Sequence, residues 1–212
     1  MHCTNNIFHR KEFSMKRRIC ACILCLTLTL TGCSVLPSIF DEDTTVDVNA
    51  EYITVGSHLT APNTDERLTL LNNMDTLSSD GLYYASWTAG SAQSYENADG
   101  DTVDLYDAQL YLLVGEYNNA ESAQENMDTW LAAGQNNYDV TNEETVTYGE
   151  QSYTMITYNF INKENPYARG ISAFGVYENC AVCIELTCIE EYDEDLRDML
   201  TTFLENCVYS GK

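Results

Sequence analysis

The chain has 212 residues and is strongly acidic, with 33 Asp and Glu against 10 Lys and Arg and a formal net charge of −23. Because so much negative charge is repelled by nucleic acid phosphates, the composition excludes DNA and RNA as partners. The length is enough for one domain with a sizeable core and too short for two ordinary domains.

The amino-terminal segment has the three parts of a secretory signal. A basic cluster at 16–18 precedes an apolar run at 19–30, and small residues follow before Cys33. A helix needs about 20 apolar residues to span a bilayer, and this run is shorter. The pattern therefore predicts a segment that directs export and is then removed.

The residues Leu30, Thr31, Gly32 and Cys33 resemble the lipobox of bacterial lipoproteins. The resemblance implies cleavage before Cys33 and attachment of diacylglycerol to its sulfur. Two acyl chains anchor a protein stably, since each buried methylene contributes about 0.8 kcal/mol. The protein would then lie on the outer face of the cytoplasmic membrane, or on the outer membrane if the source has one. The alternative is an ordinary cleaved signal with an incidental cysteine.

This interpretation divides the chain into a signal peptide at 1–32, a lipidated cysteine with a flexible tether at 33–50, and a domain at 51–212. The tether contains Pro37 and four acidic residues without sustained periodicity, which is typical of an extended linker. The mature chain keeps 5 Lys and Arg and 32 Asp and Glu, a net charge of −27. Such a domain attracts cations and basic partners, although solubility alone is the simpler explanation.

The first part of the domain has only weak signals of secondary structure. Residues 51–55 predict an edge strand. Residues 63–74 predict a short helix, with acids in its first turn and leucines on one face. The alternative is a strand at 67–71.

Two strands joined by a hairpin turn follow. An aromatic-rich strand is predicted at 82–87, and the pair Asp99 and Gly100 is a common hairpin signal. Alternating apolar residues then predict a long, half-buried antiparallel strand at 103–114.

The second half of the domain begins with an amphipathic helix predicted at 118–133. Asn118 and Glu121 have the spacing of a capping pair, and Gly134 stands where a left-handed C-cap is expected. Periodicity then predicts four strands and a terminal helix. The strands are at 144–148, 152–160, 169–177 and 180–189, and the helix is at 193–206.

This order predicts an α+β domain, in which a single antiparallel sheet is covered by helices. Over 81–209 the order of elements resembles the PsbP and Mog1-like fold, which also occurs in bacterial lipoproteins. The resemblance implies that fold, and it transfers neither site residues nor a function.

Four cysteines remain in the domain after the signal and the anchor are set aside: Cys180, Cys183, Cys188 and Cys207. Cys180 and Cys183 have the spacing of a redox or zinc pair, but on a strand their thiols point to opposite faces. Because the terminal helix returns antiparallel to the last strand, Cys207 lies over Cys180, and this pair is the candidate disulfide. The bond would close a loop of about 27 residues and contribute about 3 kcal/mol. The alternative is buried free thiols.

Aromatic side chains on adjacent strands form the candidate binding surface. Tyr83, Tyr84 and Trp87 lie on one predicted strand and Tyr111 on the next, where they could stack on a sugar or a peptide. The alternative is a structural role, because aromatic residues are good strand formers.

Sequence motifs for catalysis or metal binding are not found. His58 is the only histidine of the mature chain, and there is no nucleophile elbow, zinc-binding histidine pair or phosphate loop. We therefore expect no catalytic residue, no metal and no cofactor. The leading hypothesis is a non-enzymatic interaction or accessory module with an unknown protein or glycan partner. The alternative is a carboxylate-dependent hydrolase of an envelope or extracellular polymer.

Overall fold

The structure of the protein is a computed structural model that describes residues 51–63, 67–78, 81–96, 100–163 and 165–210. The predicted signal peptide, the predicted lipidation site Cys33 and the predicted tether lie outside the described residues. No helix in the described ranges is long and apolar enough to cross a bilayer.

The described chain contains twelve strands and two helices. The strands are β1 (Tyr52–Val55), β2 (Leu59–Pro62), β3 (Thr69–Ser78), β4 (Leu82–Ala89), β5 (Gln93–Glu96), β6 (Thr102–Leu105), β7 (Ala108–Glu116), β8 (Tyr138–Tyr148), β9 (Gln151–Phe160), β10 (Arg169–Tyr177), β11 (Cys180–Cys188) and β12 (Val208–Tyr209). The helices are α1 (Ala120–Asn137) and α2 (Leu196–Glu205).

The strands form three antiparallel sheets. Seven strands form the large sheet in the order β3-β4-β7-β11-β10-β9-β8, and the small sheet has the order β1-β2-β12. Strands β5 and β6 form a separate hairpin. The small sheet joins the two ends of the described chain, because Val208 of β12 pairs with Thr60 of β2.

The core has two parts, one on each face of the large sheet. On one face the sheet packs against α2 and the small sheet, through residues such as Phe203 and Leu59. On the other face it packs against α1, through residues such as Trp130 and Met127. The central strand β11 contributes to both parts, and all nine of its residues are buried.

The predicted α+β class is wrong, because the described chain is mainly β and its helices do not cover the sheet. Seven strands spaced about 4.8 Å apart form a sheet roughly 30 Å wide, whereas a helix is about 10 Å across. One helix on each face therefore covers only part of it. Strand β1 of the small sheet contacts β3 and β4, so strands take part of the covering role that the sequence assigned to helices.

The predicted helix at 63–74 is also wrong, since residues 69–74 belong to strand β3, while 64–66 lie outside the described residues. Leu68 is buried, Thr69 is exposed and Leu70 packs against the core, which is the period of a strand. Pairing with β4 stabilises the extended conformation, and the alternative strand at 67–71 was the better prediction.

The long strand predicted at 103–114 is divided in the structure. Strand β6 pairs with β5, the chain turns at Tyr106 and Asp107, and β7 then enters the large sheet. All residues of β7 except Glu116 are buried, so the strand is not half-buried as predicted. The strand is fully buried because β4 and β11 lie on either side of it and because both faces of the sheet are covered.

Helix α1 is present where the sequence predicts a helix, but both of its ends differ. The N-cap is Asn119, whose Oδ1 accepts from the Ser122 N–H at 2.8 Å. Gly134 is buried inside the helix and is not its C-cap. A Cβ at Gly134 would lie 3.1 Å from Ile156 Cδ1, so the glycine lets the helix approach the sheet closely.

Trp87 connects the large sheet to the small sheet and to α2. Its indole Nε1–H donates to the carbonyl oxygens of Pro62 and Asn63, at 3.0 and 2.8 Å. Its ring meets the ring of Phe203 edge-on, with centroids 4.9 Å apart. The side chain is fully buried, so both hydrogen bonds lie in the core.

We expect Trp87→Phe to lower the free energy of unfolding by about 2–4 kcal/mol, because buried carbonyls lose a donor and a cavity forms. Urea denaturation followed by circular dichroism measures the change. Tyr52→Phe, at an exposed position of the same small sheet, is the control and should change stability by less than about 0.5 kcal/mol. Equal effects of the two substitutions would contradict this role of Trp87.

Candidate functional site

Three side chains with chemically reactive groups meet where the small sheet approaches the end of the large sheet. Glu116 ends β7 and Cys180 begins β11, and the two residues are direct partners in the antiparallel register. His58 lies in the turn between β1 and β2. One donor atom from each residue lies within 4.8 Å of the others, and we refer to the three as the His–Glu–Cys cluster.

The carboxylate of Glu116 is held by the turn above it. The Ser57 backbone N–H donates to Oε1, and the Ser57 hydroxyl donates to Oε2 at 3.1 Å. Gly56 has φ +67°, and a Cβ there would lie 2.7 Å from Glu116 Oε1. Glycine is therefore required for both the backbone conformation and the close approach of the turn.

The imidazole of His58 is held by the end of β12. Its Nδ1 lies 3.0 Å from the carbonyl oxygen of Ser210, and the Ser210 N–H donates to the His58 carbonyl at 2.8 Å. Since a carbonyl oxygen only accepts, Nδ1 carries the proton in this contact. Nε2 is then the ring nitrogen with an available lone pair.

The thiol of Cys180 is buried, with 1% of its surface exposed. Burial raises its pKa to about 11, and the nearby carboxylates of Glu116 and Glu178 contribute to the rise. A nucleophilic cysteine needs the opposite shift, towards the thiolate at neutral pH. The cluster as it stands therefore does not favour catalysis by a thiolate.

The four cysteines of the described residues are free thiols in the structure. Cys180 and Cys207 belong to the same part of the core, on the α2 side of the sheet. Burial raises the pKa of Tyr209, and Tyr153, Cys207 and Cys180 contribute to the rise. The disulfide between Cys180 and Cys207 stays a prediction. Cys183 packs on the α1 side, as expected from its spacing on the strand.

The four aromatic candidates do not lie together on one exposed surface. Trp87 is fully buried, and Tyr83 packs against the core on the same side of the sheet. Tyr84 and Tyr111 form a ring pair with centroids 5.7 Å apart, and Tyr111 is buried. Successive residues of β4 point to opposite faces, which separates Tyr83 and Trp87 from Tyr84.

A buried carboxyl group lies on the α1 side of β11. Tyr158 donates a hydrogen bond to Glu185 Oε1, and Tyr138 donates to the same oxygen at 2.8 Å. The two tyrosine rings stack with centroids 3.9 Å apart, and the Ser172 hydroxyl donates to the Tyr158 oxygen at 3.3 Å. Burial raises the pKa of Glu185, and the hydroxyl groups partly offset that rise. This network closes the core and presents no open surface.

An open groove of about 800 Å³ lies between the β5–β6 hairpin and the segment that precedes α2. Four acids line it together with two tyrosines, two aliphatic side chains and Arg67. The acids are Asp107, Glu191, Asp193 and Glu194, the tyrosines are Tyr95 and Tyr192, and the aliphatic residues are Leu105 and Ile189. We refer to it as the acidic groove.

Sequence reasoning missed the His–Glu–Cys cluster because its members are far apart along the chain. His58 is the only histidine of the predicted mature chain, so no second histidine indicates a shared site, and β12 is not predicted. The pairing of β12 with β2 brings the β1–β2 turn to the end of β11. The sequence contains the cysteine at the start of β11 and the glycine at 56, but no sequence motif has this spacing, so the sequence does not indicate that they lie close together.

Comparisons with known proteins give only loose similarities. No model of a known protein family matches the chain, and no curated protein matches its sequence. The solution structure of cyanobacterial PsbP (CyanoP) from Synechocystis sp. PCC 6803 is similar with a TM-score of 0.37 and 13% identity, covering 69% of this chain and 95% of that chain. The extracellular domain of PknH from Mycobacterium tuberculosis is similar with a TM-score of 0.35 and 12% identity, covering 60% of this chain and 65% of that chain. Similarities at this level carry no conclusion about activity or partners.

The buried carboxyl of Glu185 predicts a pH dependence of stability. Because its folded-state pKa is raised, the stabilisation is fully present below the unfolded pKa of about 4.3 and is lost as pH rises through the folded pKa. Relative to wild type, Glu185→Gln should therefore become more stable as pH rises from about 4 to 7.

Urea denaturation of both proteins at several pH values measures this difference. Glu125→Gln, at an exposed position of α1, removes the same charge without burial and is the matched control. A Glu185→Gln difference that stays constant over the whole pH range would contradict the assignment.

Proposed function

We propose that the protein is an exported lipoprotein, anchored to a membrane surface through lipid on Cys33, whose domain is a non-enzymatic interaction module. The observation that carries the proposal is the run of basic, apolar and small residues ending at Cys33, followed by an acidic linker. Two acyl chains hold such a protein on the surface, and about 17 linker residues let the domain act away from it.

The partner that best suits the domain is a basic polypeptide segment. The mature chain carries −27 charges, from 5 basic and 32 acidic residues, so its field attracts positively charged partners over a distance. The acidic groove adds a defined place for contact, with acids around Tyr95 and Tyr192. Lys and Arg side chains can pair with the carboxylates and pack over the tyrosine rings.

A carboxylate-dependent hydrolase of an envelope or extracellular polymer is the second candidate. The observation that favours it is the same groove, where Asp107 lies with three other acids on an open surface. Catalysis would require Asp107 or a neighbouring acid as general acid or nucleophile. Hydrolysis of cell-wall or extracellular polysaccharide by the wild type, abolished in Asp107→Asn, would establish this function in place of the first.

Metabolic labelling with a fatty acid tests the anchor. We expect the wild-type protein to carry the label and to sediment with membranes, whereas Cys33→Ser should lose the label. Cys207→Ser is the control, because it also removes one cysteine and should keep the label. Label that persists in Cys33→Ser would contradict lipidation at this residue.

Charge reversal tests the acidic groove. We expect Glu191→Lys with Glu194→Lys to weaken binding of a Lys- and Arg-rich peptide about tenfold, since each lost exposed ion pair contributes up to about 1 kcal/mol. Glu125→Lys with Glu150→Lys makes the same charge change at exposed positions outside the groove. Fluorescence anisotropy at low salt compares the variants. An equal loss in both double variants would show that only the overall charge matters.

A further inference from the structure

The His–Glu–Cys cluster combines the three donor types that zinc binds in proteins: an imidazole nitrogen, a carboxylate oxygen and a cysteine sulfur. Calcium and magnesium prefer oxygen donors, so the sulfur and the imidazole select a softer ion. We propose that His58, Glu116 and Cys180 bind a divalent transition-metal ion, with zinc as the best match, and leave its fourth position to water or an outside ligand. This site goes beyond the proposed function and does not depend on it.

The spacing of the three donor atoms suits one shared ion. Zinc bonds of about 2.0–2.3 Å in a tetrahedral arrangement separate neighbouring donors by about 3.5 Å. The three donors lie within 4.8 Å of one another, so movements of about 1 Å bring them to bonding distance. Side-chain rotation of Glu116 and adjustment of the β1–β2 turn supply movements of this size.

Two of the three side chains are oriented by hydrogen bonds that still leave a lone pair available for an ion. The Nδ1–H of His58 donates to the Ser210 carbonyl, 3.0 Å away, which fixes the tautomer with its lone pair on Nε2. Metal-binding histidines commonly make this contact with a carbonyl or a carboxylate. Ser57 orients Glu116 in a similar way, through its backbone N–H and its hydroxyl.

The charges and protons of the cluster balance when an ion binds. The ion displaces the proton of the Cys180 thiol, which passes to the solvent, and sulfur binds as thiolate. One thiolate, one carboxylate and one neutral imidazole then offset the two positive charges of the ion. The buried thiol, which is unfavourable as a free thiolate, becomes favourable as a ligand.

The rest of the acidic surface provides a different kind of cation binding. Exposed carboxylates such as those of the acidic groove attract ions weakly and without selectivity. The cluster differs because it also offers a sulfur and a nitrogen donor. Binding that survives a large excess of magnesium and calcium therefore reports the cluster.

The test titrates zinc into the purified mature protein, which has been treated with a chelator, dialysed and kept reduced with a phosphine. Competition with a chromophoric chelator, in excess magnesium, gives the affinity and the stoichiometry. We expect one tightly bound ion. Cobalt(II) in place of zinc should give a sulfur-to-metal charge-transfer band in the near ultraviolet.

Variants assign the ligands. We expect His58→Gln and Cys180→Ala each to weaken zinc binding at least tenfold, and Cys180→Ala to abolish the cobalt charge-transfer band. Cys183→Ala is the matched control, because it removes a thiol of the same strand on the opposite face. Cys207→Ala should also retain binding, and it prevents the competing disulfide. Because His58 lies in a turn and not in the core, we expect His58→Gln to fold, so it still tests the site if Cys180→Ala does not fold.

Three outcomes would overturn the proposal. The first is that excess magnesium displaces all of the bound zinc. The second is zinc binding of equal strength in His58→Gln and the wild type. The third is a cobalt charge-transfer band that is lost in Cys183→Ala and retained in Cys180→Ala.

Discussion

The burial of β11 on both faces is the constraint on which the rest of the structure depends. Nine consecutive buried residues need partners on both sides within the sheet, and β7 and β10 provide the hydrogen bonds. Both faces also need cover, which α1 provides on one side and α2 with the small sheet on the other. A strand buried in this way has a fixed register, because a shift by one residue would exchange its two faces.

The chemically reactive groups of the domain follow from this register. Cys180 is the first residue of β11 and pairs with Glu116. Glu185 lies in the middle of the strand, so its carboxyl group must form its hydrogen bonds inside the core. Cys180 therefore lies near His58 in the β1–β2 turn of the small sheet. Glu185 instead accepts hydrogen bonds from Tyr138 and Tyr158 inside the core. The same strand thus contributes Glu185 to a buried polar network and Cys180 to the His–Glu–Cys cluster, and the position of each residue along the strand decides which.

The sequence predicted the elements whose signals are local. The alternation in 180–189 and 169–177 predicted β11 and β10 closely, and the stripe of the terminal helix predicted α2. The predictions failed where tertiary contacts decide the structure. The sequence of 63–74 has helical signals, yet residues 69–74 form part of β3 and pair with β4. Gly134 has the signal of a helix end, yet it lies inside α1, where the helix packs closely on the sheet.

The candidate site could not be predicted, because it depends on contacts between segments that are far apart along the chain. The short strand β12 has no periodic signal of its own. Its pairing with β2 and the hydrogen bonds of Ser57 to Glu116 hold the turn that carries His58 near Cys180. The candidate aromatic surface stays a prediction; in the structure Trp87 and Tyr111 are buried, and Tyr83 and Tyr84 are half-buried. Anomalous X-ray diffraction at the zinc edge, on crystals grown with zinc, tests directly whether the His–Glu–Cys cluster binds the ion. We expect one strong peak bounded by His58, Glu116 and Cys180, about 2.3 Å from the sulfur. A peak elsewhere, or electron density that joins Cys180 to Cys207, would contradict it.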